Sequence, residues 1–480
     1  MLPRRIATRG RVCRRQHAWD VAFGWERNCG GRSRSPSVFD AQTILERCQT
    51  HSERVCKLVA KSAVGIDLGT TNSVVAVTLH GSTFVIPGPD NQRLTKSVVS
   101  YLNDGSHLVG EKARVQGLKP NSDTFSSIKR LIGRRRCELE ERMYELLPFQ
   151  IMSDSPDDYA TLVLTMQRAL IRPQDISADL LSALKTSAEL YLKEKVEDCV
   201  ISVPAYFGPS ERDATLEAAK IAGLSVLRIM NEPAAAAVGY GFGKAEEEFV
   251  LVFDLGGGTL DISLLHIGDC VFEVLNSAGD NFLGGDDFDA RVLDWILDGC
   301  DVEATRTLLT DANALFTLKD ASESAKIALS SQDSVEIRLE FPVEDGRAVK
   351  IDKTLDRTTF EEISADLVRK MEEILRGVFF GAQTAEGVDV DEDDVEILLV
   401  GGGTQMPCIS DLILRTVGKA PKKGLVSADE AVAIGAGLTA SALVGDIPRD
   451  GIILLDETPT AEDIQLLGEK VESIIDQFDS

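Results

Sequence analysis

The feature that most constrains this chain is a short strand–turn–strand pattern that occurs twice. The first copy, VGIDLGTTNSVVAV, occupies residues 64–77, and the second copy, FVLVFDLGGGTLDISLL, occupies residues 249–265. In each copy two apolar strands flank a turn made of Gly and Thr, a pattern that predicts a β-hairpin. Two copies of one hairpin in one chain indicate two related lobes.

The segments between and after these hairpins predict alternating helices and strands. We expect an amphipathic helix over Ile176–Glu194, a strand over Cys199–Val203, and a helix over Ser210–Ala222 that starts with a Ser-x-x-Asp capping box. A buried strand is predicted over Val395–Val400, followed by the glycines of residues 401–403. This alternation in both halves favours an α/β fold with two similar lobes and a cleft between them.

The Gly/Thr turns indicate a site for phosphate groups. The backbone N–H groups and hydroxyls of such turns hold phosphate oxygens without help from Lys or Arg. Asp67 and Asp254 each end the strand before a turn, and paired carboxylates beside a polyphosphate suit a hydrated Mg²⁺. The sequence has no GxxxxGK[ST], which excludes a P-loop, and we interpret the loose GxGxxA at residues 435–440 as helix packing because no βαβ pattern surrounds it.

The net charge of the chain argues against nucleic-acid and membrane partners. Lys and Arg number 51 and Asp and Glu number 77, giving a formal net charge of -26. An acidic surface repels nucleic acid and anionic membranes. The sequence also lacks an apolar run of about 18 residues, the length that a membrane-spanning helix needs. We therefore expect a globular protein without a nucleic-acid partner and without a membrane span.

The first residues differ from the rest in composition. The first 36 residues hold nine Arg, no Lys and only two acids, Asp20 and Glu26. An Arg-rich, acid-poor start is typical of an organelle transit peptide, so we predict import into a mitochondrion or plastid. The alternatives are a disordered basic tail or a mispredicted first exon, in which case the location is cytoplasmic.

The nine cysteines include no CxxC pair, which favours free thiols in a reducing compartment over a disulfide or zinc framework.

Several longer motifs resemble one known family. They are IKRLIGR, ISVPAYFGPSERDAT, RIMNEPAAAAVGYG, FLGGDDFDAR, ESAKIALSS, LLVGGGTQMP and DEAVAIGAG, together with the two hairpin sequences. The set resembles the seventy-kilodalton heat-shock chaperones, particularly their DnaK branch, over residues 63–455. The resemblance implies the actin-like ATPase fold, with duplicated ribonuclease-H-like lobes around a nucleotide cleft. Other actin-like proteins, such as sugar kinases, acetate kinases and filament proteins, lack the AYF and NEPAAAA stretches.

The resemblance also implies roles for individual residues. Those that would surround the metal-bound phosphates are Asp67, Asp254 and Glu232. Lys129 would orient the attacking water, and Asp261 would take a second acidic position on the cation and water network, beside the catalytic Asp254, Glu232 and Thr259. The phosphate-binding turns would contribute Gly69, Thr70, Thr71, Asn72, Gly256, Gly257, Gly258 and Thr259. The adenosine side would be formed by Glu323, Lys326 and Ser330, with Gly401, Gly402 and Asp429 opposite. Pro204 and Arg212 match the pair that couples nucleotide state to the outside of the lobe.

The resemblance predicts four segments. Residues 1–62 form the leader, 63–245 the first actin-like lobe, 246–445 the second lobe, and 446–480 a linker-like segment with a short helical tail. The sequence GIILLDETP at residues 451–459 resembles the family's interdomain linker, and the likeness ends there, so we expect no peptide-binding β-sandwich and no client binding by the family's mechanism. Gln405 stands where the family usually has Arg.

We therefore expect a DnaK-type chaperone module that binds ATP or ADP with Mg²⁺ and, as the resemblance implies, K⁺, and that hydrolyses ATP slowly while assisting protein folding. The partners implied are a J-domain co-chaperone and a nucleotide exchange factor. The alternative is a catalytically weak module that docks those partners in a nucleotide-dependent way without binding clients.

Overall fold

The computed structural model describes residues 62–455, except for residues 121, 153–157, 165–168, 245, 343–347, 386–393, 423, 425–426 and 449–450. The predicted leader and the predicted tail helix lie outside the described residues. The acidic run at residues 389–394 lies outside them as well, apart from the exposed Asp394.

The described strands and helices alternate through both halves of the chain. The strands are β1 (Val64–Asp67), β2 (Asn72–Leu79), β3 (Ser82–Val85), β4 (Thr95–Lys96), β5 (Val99–Tyr101), β6 (His107–Val109), β7 (Asp123–Phe125), β8 (Ile151–Met152), β9 (Thr161–Leu164), β10 (Ala169–Ile171), β11 (Asp198–Val203), β12 (Ser225–Asn231), β13 (Glu248–Leu255), β14 (Leu260–Gly268), β15 (Val271–Asp280), β16 (Ser334–Pro342), β17 (Ala348–Asp356), β18 (Val395–Val400) and β19 (Ile453–Leu455). The helices are α1 (Glu111–Gly117), α2 (Glu141–Glu145), α3 (Pro173–Leu192), α4 (Pro209–Ile221), α5 (Glu232–Gly241), α6 (Gly285–Leu297), α7 (Val302–Thr310), α8 (Ala312–Leu329), α9 (Arg357–Ile363), α10 (Ala365–Ala385), α11 (Pro407–Val417) and α12 (Ala431–Val444).

Two sheets of matching topology carry the two hairpins. In the first sheet, β1 pairs parallel with β11 and antiparallel with β2, which pairs antiparallel with β3. In the second sheet, β13 pairs parallel with β18 and antiparallel with β14, which pairs antiparallel with β15. Asp67 lies opposite Ser202 of β11, and Asp254 lies opposite Val400 of β18. The duplication predicted from the hairpin sequences is therefore confirmed at the level of strand order and direction. The predicted lobe boundary at residues 245 and 246 stays a prediction.

Most predicted elements are confirmed with shifts of a few residues. Helices α3 and α4 and strands β11 and β18 stand where the sequence places them. The predicted capping box is wrong, because α4 begins with Pro209 after Gly208 and no side chain caps it. Proline at the first helical position already fixes the backbone for the helix and has no N–H that needs a partner. Ser210 therefore lies inside the first turn.

Helix α12 connects the two halves through very small residues. Its sequence, AVAIGAGLTASALV, has no polar face, and nearly every residue is buried, as expected for a helix that packs on all sides. It contacts β1, β2 and β11 of the first sheet and also α5. A Cβ added at Gly435 would stand 1.7 Å from the carbonyl oxygen of Ala235 in α5. The interpretation of this segment as helix packing is confirmed.

The linker-like segment adds a strand to the second sheet. Strand β19 pairs parallel with β15, with Ile453 opposite Val271 and Leu455 opposite Glu273. Ile452, Ile453 and Leu454 are buried. Burial of such side chains contributes about 1.5–3 kcal/mol each, which is enough to hold a short strand on a sheet edge.

We predict that Gly435→Ala destabilises the protein by about 2 kcal/mol or more, because the new methyl group overlaps the α5 backbone and the two helices must separate. Gly377→Ala is the matched control. Gly377 lies at an exposed position of α10, where an added Cβ meets nothing within 4 Å, so its replacement should stabilise the helix by about 0.5–1 kcal/mol. Chemical denaturation measures both; equal effects from the two substitutions would contradict the packing role of Gly435.

Candidate functional site

A cavity of about 250 Å³ lies between the two hairpin turns, α8 and the start of α12. Residues that are far apart in the chain line this cavity. The predicted site residues that line it are Asp67, Gly69, Thr70, Thr71, Asn72, Lys129, Glu232, Asp254, Gly256, Gly257, Thr259, Glu323, Lys326, Ser330, Gly401, Gly402 and Asp429. The two predicted residues that do not line it are Gly258 and Asp261.

The two Gly/Thr turns face each other at very short range. A Cβ added at Gly257 would stand 1.9 Å from the hydroxyl oxygen of Thr71, so only glycine allows this approach. The N-terminus of α6 supports the second turn from behind: the N–H of Gly285 donates to the carbonyl of Gly256 over 2.9 Å, and the N–H of Asp286 donates to the carbonyl of Gly257 over 2.7 Å. The turns therefore form a clamp of backbone groups and hydroxyls.

Gly258 and Asp261 lie behind this clamp. The carbonyl of Gly258 accepts hydrogen bonds from the guanidinium of Arg130 over 3.1 and 3.2 Å. Asp261 lies on β14 opposite Asp254, is 1% exposed, and accepts a hydrogen bond from the backbone N–H of Ala205 over 3.1 Å. Asp261 is therefore positioned to act on the cavity through the charge of Asp254.

Lys129 forms a buried ion pair with Glu232. Lys129 belongs to a short 3-10 turn, Ile128–Arg130, that follows Ser127 in a left-handed conformation with φ 55, and Glu232 is the first residue of α5. The ammonium stands 2.5 Å from Oε1 of Glu232, and both side chains are under one-tenth exposed. Burial by itself lowers the pKa of Lys129, but the carboxylates of Glu232 and Asp67 outweigh it and the pKa is raised. Lys129 therefore stays protonated.

The carboxylates around Lys129 ionise with difficulty. Burial raises the pKa of Asp67 to about 7, and the charge of Glu232 adds to the shift. Burial and the charges of Glu232 and Asp261 raise the pKa of Asp254 well above its usual range. Burial and Glu232 also raise the pKa of Asp261 to about 7. Because Lys129 alone opposes these shifts among the described cations, a bound cation would stabilise the ionised cluster.

The cluster fits a metal ion that is shared with phosphate. Within the residues that the structure describes, no three Asp, Glu, His or Cys side chains are grouped closely enough to hold an ion by themselves. Mg²⁺ typically binds through one or two carboxylates, several waters and substrate phosphates. Asp67, Asp254 and Glu232 supply the carboxylates, and the facing turns supply the phosphate donors, so these residues fit a hydrated Mg²⁺ that is bound together with a nucleotide.

Ion pairs and a hydrogen-bonded side-chain amide lie at the opposite end of the cavity. Lys326 of α8 binds Asp289 over 2.8 Å, and Lys96 of β4 binds Glu323 over 2.9 Å. The side-chain amide of Gln405 donates to Asp429 over 3.2 Å.

The sequence analysis did not predict two residues of the cavity lining. It did not identify Lys96, and it quoted Gly285 within a motif without assigning it a role. The glycine pair before α6 was the available signal for Gly285, because helix N-termini bind carbonyls and anions, whereas no local pattern marks Lys96.

Comparison with known proteins identifies the family. The sequence matches the family model described as "Hsp70 protein" over residues 63–480. It is 42% identical over 406 residues to "Chaperone protein dnaK" of Cyanidioschyzon merolae (strain NIES-3377 / 10D), covering 84% of this chain and 65% of that protein. Proteins of the same name match at 42% identity from Cyanidium caldarium, with 84% and 64% covered, and from Guillardia theta, with 86% and 64% covered.

The matching sheets and the cleft define an actin-like α/β protein. The chain belongs to the Hsp70 family. It spans about 65% of the length of the curated relatives that it matches. In the described part of the chain, no helix combines the length and apolarity that crossing a membrane requires.

The raised pKa of Asp67, about 7 against an ordinary 3.8, predicts a pH-dependent cost of folding. Between these two values the folded protein keeps a proton that the unfolded chain has lost, so stability falls as pH rises through this window. Asp67→Asn, which cannot ionise, should therefore be more stable than the parent at about pH 8 by roughly 1–3 kcal/mol and equal to it near about pH 4.

Denaturant titrations without nucleotide or Mg²⁺ measure this difference. Asp411→Asn, at an exposed position on α11, is the control and should show no such gain. A difference between Asp67→Asn and the parent that does not change with pH would show that the charge of Asp67 is not the cause.

Proposed function

We propose that this chain binds ATP with Mg²⁺ and hydrolyses it slowly, as the nucleotide-dependent module of a DnaK-type chaperone. The observation that carries the proposal is the pair of facing Gly/Thr turns, with Gly257 against Thr71. The cavity at these turns also contains Lys129 and the carboxylates of Asp67, Glu232 and Asp254. Family membership supports the nucleotide and the reaction. Because the two turns contain no Lys or Arg, backbone N–H groups would bind the phosphates.

Hydrolysis at this site depends on positioning and charge. The hydroxyls of Thr70, Thr71 and Thr259 line the cavity and would donate to phosphate oxygens. Mg²⁺, when bound, would neutralise phosphate charge. The ammonium of Lys129, held by Glu232 over 2.5 Å, would orient the attacking water and stabilise negative charge that develops in the transition state.

Asp261 connects the site to a surface element. Its carboxylate accepts the N–H of Ala205, and the carbonyl of Ala205 accepts a hydrogen bond from Arg212 over 3.3 Å. Arg212 also donates to the side chain of Asn231 over 2.7 Å, directly before Glu232 at the start of α5. We infer that the charge state of the phosphate site moves this loop, which includes buried Pro204, and so reports the bound nucleotide to the outside.

The partners are proposals of the same kind. A J-domain co-chaperone and a nucleotide exchange factor follow from family membership, as does assistance in protein folding. The weaker alternative, a module that docks these partners without useful hydrolysis, is distinguished by single-turnover hydrolysis with and without a J-domain protein. K⁺ as a second cation and location in a mitochondrion or plastid also stay proposals.

We predict that Lys129→Ala lowers the single-turnover rate of ATP hydrolysis by about 100-fold or more, while ATP affinity changes little, because Lys129 acts mainly in the transition state. Lys185→Ala is the control. The ammonium of Lys185 donates to the carbonyl of Gly223 over 2.7 Å at an exposed site, and its loss should leave the rate unchanged. Equal rates for the parent and Lys129→Ala would remove Lys129 from the mechanism.

We predict that docked β19 raises the hydrolysis rate, so that the full chain is faster than a version that ends at Gly445. In the full chain, Leu454→Asp should lower the rate several-fold, since a carboxylate cannot stay buried beside β15 at the position of a leucine that is 1% exposed. Leu414→Asp, at an exposed position of α11, is the matched control. Unchanged rates in Leu454→Asp would show that docking of β19 and hydrolysis are independent.

A further inference from the structure

Three cavities follow one another behind the phosphate clamp. The nucleotide cavity shares Thr70, Thr71, Lys96 and Glu323 with a cavity of about 60 Å³. This small cavity in turn shares Ser127, Asp286 and Lys319 with a cavity of about 270 Å³ on the far side. The hydroxyls of Thr70 and Thr71, which are predicted to hold phosphate, therefore lie between the nucleotide cavity and the two cavities behind it. We call these two cavities the rear passage.

Lys319 stands where the small cavity meets the large one. It belongs to α8, on the same helical face as Glu323 and Lys326, which are four and seven residues further along. Burial lowers the pKa of Lys319, although the Asp286 carboxylate opposes this shift. An anion beside the ammonium would offset the cost of burying its charge.

Among the described residues, Lys319 is the one cation of these cavities for which no carboxylate forms an ion pair. Within the described residues, every other Lys and Arg that lines the three cavities forms an ion pair, as the following pairs show: Lys96–Glu323, Arg114–Asp320, Lys129–Glu232, Arg130–Asp287, Arg142–Asp294, Arg291–Asp366, Lys326–Asp289 and Lys370–Asp280. Lys319 forms neither an ion pair nor a hydrogen bond with a described residue.

Two acidic neighbours of Lys319 each bind another side chain through Oδ2, while Oδ1 of Asp289 is buried without a partner among the described residues. Oδ2 of Asp286 accepts a hydrogen bond from the hydroxyl of Ser127 over 2.7 Å, and Oδ2 of Asp289 binds Lys326 over 2.8 Å. Four carboxylates line the small cavity, those of Asp286, Asp289, Asp320 and Glu323, and its other described cations, Lys96 and Arg114, are paired with two of them. The ammonium of Lys319 lines both rear cavities and can bind an anion that moves between them.

We propose that the phosphate product of hydrolysis leaves the cleft past Lys319, which forms a transient phosphate-binding site between the two rear cavities. The proposal rests on the proposed ATPase function. Phosphate is produced at the clamp, where bound ADP lies between it and the adenosine end of the cavity. The rear passage begins at Thr70 and Thr71, so phosphate enters it without displacing ADP.

Binding of inorganic phosphate tests the site without any need for turnover. In equilibrium dialysis of the full chain loaded with ADP and Mg²⁺, Lys319→Ala should weaken phosphate binding by about tenfold, the loss expected for one charge-assisted hydrogen bond. Lys319→Arg, which keeps the charge, should bind within about twofold of the parent. Lys370→Ala is the matched control, because Lys370 lines the same large cavity but is paired with Asp280 over 2.5 Å. It should leave phosphate binding unchanged.

Phosphate release tests the route. In single-turnover experiments with a fluorescent phosphate sensor, Lys319→Ala should slow release several-fold, while acid-quenched samples show the parent's rate of hydrolysis. Equal release rates, or equal losses in Lys319→Ala and Lys370→Ala, would overturn the proposal. Absence of hydrolysis in the parent would contradict the proposed function instead, and the dialysis would still decide whether Lys319 binds phosphate.

Discussion

The balance of charge around Lys129 controls what the cleft can hold. The ammonium contacts Glu232 and lowers the pKa values of Asp67, Asp254 and Asp261, which burial raises. One positive charge cannot offset so many carboxylates in a buried site. The site is therefore organised for additional positive charge, and Mg²⁺ bound with the proposed nucleotide would supply that charge beside the turns.

The duplicated sheets explain why this charge is concentrated at one point. Because β1 and β13 occupy equivalent places in their sheets, Asp67 and Asp254 both leave their strands at the cleft. Helix α12 then holds the halves close through backbone contact at Gly435. The same architecture that repeats the phosphate turn also repeats a carboxylate beside it, so affinity for a cation follows from the duplication itself.

The sequence predicted the hairpins, the strand Val395–Val400 and most cavity residues, because each depends on a local pattern of apolar residues, Gly and Thr. It could not predict pairs such as Lys96–Glu323, whose partners are 227 residues apart. It also could not show that Asp261 is absent from the cavity lining, since a strand pattern gives alternation but not which residues of a face reach the cleft. The capping box failed because Pro209 already started α4.

Strand β19 has a consequence for solubility. It covers part of the open edge of β15, whose N–H and C=O groups would otherwise be free to pair with another chain. Undocking exposes that edge and, at the same time, the apolar side chains of Ile452, Ile453 and Leu454. A signal that releases this segment therefore also creates a sheet edge suited to intermolecular strand addition, and the docked segment acts as the protein's own edge protection.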